Sequence, residues 1–250
     1  MSEMGRIPSI KSAEVGVVIA SRDGMPYLEA AVESVLAQHY ENTSLLVLEG
    51  ESNDGSVEFL NSVQDSRFRW TSSSRDISPG ARRNVGAKQT QADLMLFLDS
   101  DDVLEVDSIT RLVESFTESP NHVVVGGLRR FAHDELQECI PALREIEYGP
   151  AVGTTLIPRT VFHQVGMFNE SLVVGEFIEW VTRARRLGIK ELQTECSVLR
   201  RREHAKNRSR VLRDNYKKDL SSVIRAHLLA LASAENVECR TVTSNGSHIG

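Results

Sequence analysis

Apolar and polar positions over the first hundred residues predict strands and helices in alternation. Continuous apolar runs at 15–20, 45–48 and 94–98 are typical of strands that are buried on both faces. Apolar residues between these runs recur at helical spacing, as in the stretch 28–36. Because such units are joined by right-handed crossovers, we predict an α/β fold with a Rossmann-like, mainly parallel sheet flanked by helices.

The second half of the chain has a less regular pattern. It predicts a strand at 122–125, and no element can be assigned over residues 128–150. The polar tail after residue 234 is predicted to be mobile. Helices are predicted at 107–117, 158–165, 175–187 and 215–234.

Polar side chains follow each predicted buried strand. In open α/β sheets, ligands bind at the carboxyl ends of the strands. The three polar clusters at those ends are Ser21 to Asp23, Glu49 to Asp54 and Asp99 to Asp102. The sequence therefore predicts one ligand site at this edge of the sheet.

Asp99 and Asp101 are two residues apart at the end of a buried strand, so their carboxylates project to the same side in extended geometry. Two adjacent carboxylates repel each other. A hard cation such as Mg²⁺ or Mn²⁺ would relieve this repulsion and take its other ligands from a diphosphate and water. Spacing alone leaves a second interpretation open, in which an acidic turn caps the helix that follows.

Charge and composition narrow the classes of function. With 29 basic and 35 acidic residues the formal net charge is −6, which argues against general nucleic-acid binding. The chain has neither an apolar run long enough to span a membrane nor an apolar signal core near Met1, so we expect a cytoplasmic protein, with peripheral membrane contact left open. Three widely spaced cysteines fit neither a disulfide framework nor a zinc cluster.

Five blocks, in order and at characteristic spacing, resemble the family 2 glycosyltransferases. The resemblance covers about residues 14 to 210. The blocks are Val17-Val18-Ile19, the run from Ala31 to Gln38, Ser52-Asn53-Asp54-Gly55, the run from Ala81 to Gly86, and Phe97-Leu98-Asp99-Ser100-Asp101-Asp102.

This resemblance implies an A-type glycosyltransferase fold, a nucleotide diphosphate sugar donor and inversion at the anomeric carbon. It implies that Asp99 and Asp101 form a D-x-D motif, with Asp99 also near the donor ribose and Mn²⁺ or Mg²⁺ on the motif. Arg83 would help to hold the anionic nucleotide, although a solvated helix residue is the alternative. Ser21 and Asp23 would line the nucleoside pocket, and Glu49 occupies the first position of a pair of acids that is common in relatives.

Downstream segments continue the resemblance. Residues 153–159 and 165–170 look like the acceptor-side segment, and Glu176 and Glu179 occupy the place of the acidic catalytic motif. They are three apart at a helix start, so they share a face; favourable charge at the helix N-terminus is the alternative. His204 lies in a segment that is close to the diphosphate in relatives. The basic run from Arg200 to Arg213 is interpreted as an anion-binding lid, with a solvated helix face left open.

Two positions depart from the family pattern. Gly50 stands where relatives commonly have a second acid that meets the nucleobase, and Phe177 stands where they commonly have the catalytic Asp. The chain therefore lacks, at these two positions, the acid that meets the nucleobase in relatives and the acid that is commonly their base. By preference Glu176 is the base, because it follows Gly175 directly.

The sequence thus predicts a tail at 1–13, a glycosyltransferase domain at 14–210, a C-terminal helix at 211–234 and a mobile tail at 235–250. Within the domain, residues 14–105 would bind the nucleotide sugar and residues 106–210 the acceptor, which is a saccharide, a lipid-linked or another hydroxyl compound. A homo-oligomer is left open. Two rival functions are a catalytically silent nucleotide-sugar-binding protein and, with weaker support, nucleic-acid binding through Arg200 to Arg213.

Overall fold

The computed structural model describes residues 13–116, 121–132 and 145–204, together with residues 207, 211 and 221. Its first half is the predicted alternation of strands and helices. The elements are β1 (Val15–Ser21), α1 (Tyr27–Leu36), β2 (Thr43–Glu49), α2 (Ser56–Ser62), β3 (Phe68–Ser72), α3 (Pro79–Gln89) and β4 (Leu94–Asp99).

The second half adds short helices and further strands. These are β5 (Val103–Leu104), α4 (Ser108–Glu114), β6 (His122–Ala132), β7 (Glu147–Tyr148), β8 (Thr155–Pro158), α5 (Arg159–Val165), α6 (Glu176–Arg186) and β9 (Lys190–Glu203).

Three of the predicted second-half helices are present as α4, α5 and α6. The long strand β9 was not predicted. Its last residues are the start of the basic run, so residues 200–203 form part of a sheet, and the interpretation as a lid or a solvated helix face is wrong for them. The predicted helix at 215–234 and the tails at 1–13 and 235–250 lie outside the described residues, apart from residues 13 and 221.

The described strands form one mixed sheet in the order β3-β2-β1-β4-β8-β6-β9-β5, with β7 paired to β6. Strands β1 to β4 are mutually parallel, whereas β8 runs antiparallel between β4 and β6. The α/β class and the mainly parallel first half of the sheet are therefore confirmed. No helix among the described residues combines the length and apolar character that crossing a membrane requires.

Two hydrophobic cores cover the two faces of this sheet. Val17 and Ile19 of β1 belong to the core that also contains residues of α1 and α4. Val18, between them, belongs to the core that contains residues of α5 and α6. Because successive strand residues point to opposite faces, a strand buried on both sides must be apolar throughout. This is why β1, β2 and β4 could be recognised as continuous apolar runs.

Candidate active site

The carboxyl ends of β1, β2 and β4 meet at one edge of the sheet. Ser21 is opposite Glu49 in the β1–β2 pair, and Ala20 is opposite Asp99 in the β1–β4 pair. The structure therefore brings together the three polar clusters that the sequence placed at the strand ends. This edge is the candidate active site.

Three aspartates form the acidic centre of the site. One carboxylate oxygen from each of Asp99, Asp101 and Asp102 lies within 4.8 Å of the other two. Asp102 is buried, and its burial raises the pKa well above the usual range, which the charge of Arg201 opposes only in part. Asp99 and Asp101 are partly exposed, so they are the two carboxylates that can face a ligand.

The end of β9 holds in position the loop of residues 99–102, which we call the aspartate loop. The backbone N–H of Arg202 donates to Asp102 at 2.9 Å, and its Nε donates to the carbonyl of Asp101 at 3.0 Å. His204 Nε2 lies 2.9 Å from Oδ2 of Asp101, and the Asn207 amide donates to the same oxygen at 3.3 Å. His204 is thus placed directly on the D-x-D motif.

Sequence reasoning assigned no role to Arg202 or Asn207 individually. Arg202 lies in the basic run, but its contact with the aspartate loop depends on β9 pairing with β6 and β5. Asn207 follows His204 by three residues, and a single amide there carries no recognisable sequence signal. Both roles follow from contacts between segments about a hundred residues apart.

Arg83 links the acidic centre to the start of α6. It lies on α3, whose N-terminus is capped by the Ser78 hydroxyl accepting from the Ala81 N–H at 3.1 Å. Its guanidinium pairs with the carboxylates of Asp99 and Glu176. Burial alone would lower the pKa of Arg83, but the two carboxylates together raise it. Arg83 is therefore a fixed, charged part of the site and not a solvated helix residue.

The two candidate bases point to different partners. Glu176 is buried at the first position of α6 and reaches Arg83. Glu179 instead pairs with Arg183 on the same helix at 2.7 Å, and Arg183 donates to the carbonyls of Val165 and Met167. The structure thus brings Glu176, and not Glu179, into contact with the D-x-D side of the site.

Phe177 is a core residue. It is 5% exposed, and its ring lies 6.1 Å from that of Phe168 and 6.3 Å from that of Trp180. A carboxylate at this position would lose its hydration among aromatic rings. Phe177 therefore packs α6 onto the sheet at the position where the family commonly has its acid.

The remaining predicted binding residues lie at the ends of β1 and β2. Ser21 is buried, and its hydroxyl has no hydrogen-bond partner among the described residues. Asp23 accepts a hydrogen bond from Arg75 at 2.9 Å, a contact between residues 52 positions apart that no local pattern indicates. Glu49 is buried and accepts from the backbone N–H groups of Glu51 and Ser52 at 2.8 and 2.9 Å. Glu49 therefore shapes the loop after β2.

An arginine occupies the space beside Gly50. A Cβ atom at Gly50 would lie 2.5 Å from Nη2 of Arg82. The Arg82 guanidinium is buried and donates to the Ser73 hydroxyl at 2.8 Å and to the Ser74 carbonyl at 2.9 Å. The missing side chain at Gly50 thus makes room for a buried cation at the end of β2.

The acidic centre has the composition that a hard divalent cation requires. Carboxylate oxygens are the preferred ligands of Mg²⁺ and Mn²⁺. Asp102 is engaged by the backbone of Arg202, and Arg83 offsets only part of the remaining negative charge. Asp99 and Asp101 therefore fit the role of metal ligands, with Asp102 shaping the loop.

Comparisons with known proteins agree with this geometry. The family model described as Glycosyl transferase family 2 matches residues 16–172, more than half of the chain. An uncharacterized glycosyltransferase of Haemophilus influenzae is 28% identical over 113 residues, which is 44% of each protein. The Escherichia coli protein named UDP-Glc:alpha-D-GlcNAc-diphosphoundecaprenol beta-1,3-glucosyltransferase WfaP is 30% identical over 88 residues, which is 35% of each. The chain thus spans less than half the length of these curated relatives.

A solved structure shares the fold. TarS of S. aureus, residues 1–349 in complex with UDP-GlcNAc, aligns with a TM-score of 0.63 at 14% identity. The alignment covers 78% of this chain and 60% of the TarS chain. It confirms the A-type glycosyltransferase fold, a mixed sheet flanked by helices.

Proposed function

This chain belongs to glycosyl transferase family 2, and on that premise we propose that it transfers a glycosyl group from a nucleotide diphosphate sugar to an acceptor hydroxyl with inversion at the anomeric carbon. The observation that carries the proposal is the connection of the acidic centre, formed by the three aspartates, to Glu176 through Arg83. One buried guanidinium contacts both the group proposed to bind the donor and the group proposed to accept a proton.

On the donor side, Asp99 and Asp101 would hold Mn²⁺ or Mg²⁺. When bound, the metal would offset the negative charge of the diphosphate leaving group. His204 and Asn207 fix the Asp101 carboxylate, and Arg202 fixes the loop that carries it. Ser21 and Asp23 at the end of β1 would line the nucleoside pocket.

On the acceptor side, the acceptor oxygen would form a bond to the anomeric carbon while the bond from that carbon to the diphosphate oxygen breaks. Glu176 would take the acceptor proton, and proton transfer of this kind contributes roughly 10²–10⁴ in rate. Arg83 holds the Glu176 carboxylate and aligns it relative to Asp99. Since positioning of reacting groups contributes strongly to catalysis, this fixed geometry favours an enzyme.

The names of similar proteins support the proposed substrate classes. WfaP is named for a UDP-glucose donor and a diphosphoundecaprenol-linked GlcNAc acceptor, and TarS has been solved with UDP-GlcNAc. We infer a nucleotide diphosphate sugar as donor and a saccharide, which a lipid diphosphate carries, as one acceptor class. A cytoplasmic location with peripheral membrane contact is consistent with such an acceptor.

A second candidate function is a catalytically silent nucleotide-sugar-binding protein. Two observations favour it: Phe177 is part of the aromatic core, and Glu176 is already paired with Arg83. In this case the acidic centre would bind the donor, and its sugar would not be transferred.

Mass-spectrometric screening of nucleotide sugars with and without Mn²⁺ separates the two candidates. An enzyme should release nucleoside diphosphate by transfer to an added acceptor or to water, and Asp101→Asn should stop this release. Asp107→Asn is the matched control, because Asp107 is a partly exposed carboxylate that contacts His39 and Arg111. Metal-dependent binding without turnover of any donor would favour the silent binder.

A further inference from the structure

Arginines lie opposite each other where β6 pairs with β9. Arg129 is the register partner of Arg200, and Phe131 is the partner of Arg202. Residues that are directly opposite share a face of the sheet, as do residues two apart on one strand. Arg129, Arg200 and Arg202 therefore share one face, with Phe131 completing the second pair.

Aromatic contacts fix two of these arginines. The Arg200 guanidinium carbon lies 4.8 Å from the ring centre of Phe131, and that of Arg202 lies 4.6 Å from the same centre. Arg202 also lies 4.8 Å from the ring centre of Tyr27. Cation–π contacts of this length are favourable, so the positive groups are held at defined places.

The positive charge of this face is only partly compensated. Arg202 donates to the carbonyl of Asp101, and Arg130, at the edge of the same region, pairs with Glu147 and Glu203. Within residues 13–116, 121–132 and 145–204, no carboxylate forms an ion pair with Arg129 or Arg200. Like charges directly opposite in a sheet are destabilising, and a bound anion would offset that cost.

A small cleft gives access to Arg129 and Arg200, for which the described residues provide no ion pair. Its volume is about 260 Å³, and it is lined by Glu105, Arg129, Arg130, Phe131 and Arg200. Pockets for drug-sized ligands are roughly 300–1,000 Å³. The cleft is thus too small for a whole nucleotide sugar, but its size suits one phosphate group with part of a sugar ring, whose hydroxyl could donate to Glu105.

We propose that this cleft binds a phosphate group of the acceptor, with Arg129 and Arg200 as its ligands. The proposal rests on the proposed glycosyl transfer and names the acceptor as a phosphate-bearing saccharide. Arg202 connects the two sites, because it lies on the same face of the sheet as Arg129 and Arg200 and contacts the carbonyl of Asp101. An acceptor anchored here would lie beside the donor.

The same contacts argue against single-stranded nucleic acid as the occupant. Proteins that bind single strands stack bases on aromatic side chains along a basic groove. The ring of Phe131 already contacts the guanidinium groups of Arg200 and Arg202. The cleft therefore offers charge without an open stacking platform.

Binding of glucose 1-phosphate to the protein, with UDP and Mn²⁺ at saturation, tests the proposal by titration calorimetry. The nucleotide fills the donor site, so the sugar phosphate reports on the cleft. Arg129→Gln combined with Arg200→Gln should raise its Kd at least about tenfold, since each arginine would donate a charge-assisted hydrogen bond. Arg69→Gln is the control, because Arg69 is exposed on β3 at the other end of the sheet.

The uncharged methyl glucoside should bind the parent more weakly than glucose 1-phosphate and should not distinguish the variants. Equal affinity of the parent and the double variant for glucose 1-phosphate, or no binding to the parent, would overturn the proposal. Tight duplex DNA binding that the double variant loses would assign the face to nucleic acid instead. Each single variant should weaken binding in the same direction, which protects the result if the double variant does not fold.

The proposed function is judged separately in the same titrations. If the parent does not bind UDP with Mn²⁺, the donor assignment fails. Glucose 1-phosphate is then titrated without nucleotide, and its dependence on Arg129 and Arg200 still decides whether the cleft binds phosphate.

Discussion

Arg83 and Glu176, 93 residues apart in the chain, form an ion pair in which each side chain is less than a tenth exposed. The same guanidinium reaches Asp99. Breaking a buried pair by removing one partner costs about 3–5 kcal/mol, because the other charge is left without compensation. The pair therefore joins the proposed donor and acceptor sides of the site firmly enough to fix their relative positions.

Metal dependence of nucleotide binding is the first prediction. A nucleoside diphosphate should bind about tenfold or more tightly with Mn²⁺ or Mg²⁺ than with EDTA, because the acidic centre and the diphosphate are both anionic. Asp101→Asn should abolish this gain, whereas Asp107→Asn should keep it. Titration calorimetry measures both. Equal affinity with metal and with EDTA would remove Asp99 and Asp101 as metal ligands.

The ion pair of Asp65 and Arg67 predicts a pH-dependent contribution to stability. Hydrogen bonds from the Arg67 side chain and backbone hold the pKa of Asp65 below its usual value of about 3.9. Asp65 therefore stabilises the fold above pH ~4, and the contribution is lost as the pH falls through the lower folded value. Asp65→Asn should reduce the unfolding free energy at pH 7 by about 0.5–1 kcal/mol.

Urea unfolding at pH 7, 5 and 3 checks this prediction. The difference between parent and Asp65→Asn should be the same at pH 7 and 5 and smaller at pH 3. A difference that grows on acidification would contradict the assigned direction of the pKa shift.

The first half of the fold could be predicted because its strands are buried on both faces. β1, β2 and β4 are continuous apolar runs, and the turn residues after them mark the site. Strand β9 lacks this signal: its sequence, KELQTECSVLRRRE, mixes charged and apolar residues. Its charged end is ordered by contacts with Phe131, Tyr27 and the aspartate loop, which no local pattern reveals.

The candidate site, like the fold, has one part that the sequence predicts and one part that only the structure reveals. Asp99, Asp101 and Arg83 could be identified because they belong to compact sequence blocks. The pairing of Arg83 with Glu176 and the contact of Arg75 with Asp23 join distant segments. The packing of α6 on the sheet decides where Glu176 and Glu179 point, so the choice between them required the structure.

Charge reversal in the basic run should weaken nucleotide binding. Arg201 lies 3.5 Å from Asp102, and Arg202 donates to the carbonyl of Asp101, so both support the loop that carries the D-x-D motif. Arg201→Glu with Arg202→Glu should raise the Kd for a nucleoside diphosphate with Mn²⁺, while Arg69→Glu should not. Calorimetry is the measurement. Unchanged nucleotide affinity together with salt-dependent duplex DNA binding by the parent would assign the run to nucleic acid.

Gly50 and Arg82 should be energetically coupled. Because a Cβ at Gly50 would lie 2.5 Å from the Arg82 guanidinium, Gly50→Ala should cost about 1–3 kcal/mol of unfolding free energy. Arg82→Ala removes the clashing group, so Gly50→Ala should cost much less in that background. A double-mutant cycle measured by urea unfolding gives the coupling. Additive costs would mean that Arg82 does not set the requirement for glycine.

The identity of the base is the last prediction, and Glu176 and Glu179 form its matched pair. Glu176→Gln should lower turnover by about two orders of magnitude or more, because the amide cannot take the acceptor proton. Donor binding should persist, since the amide oxygen can still accept a hydrogen bond from Arg83. Glu179→Gln should cost much less, because its carboxylate pairs with Arg183 within α6. Single-turnover assays with separate titration of the nucleotide distinguish a lost proton acceptor from a lost donor site.

If both variants turn over like the parent, neither glutamate is the base. Phe177 cannot take that role either, because it is an apolar side chain buried in the core. If the parent binds a nucleotide sugar with metal and transfers nothing, the protein is a catalytically silent nucleotide-sugar binder. The ion pair of Arg83 with Glu176 then stabilises the donor site and has no part in transfer.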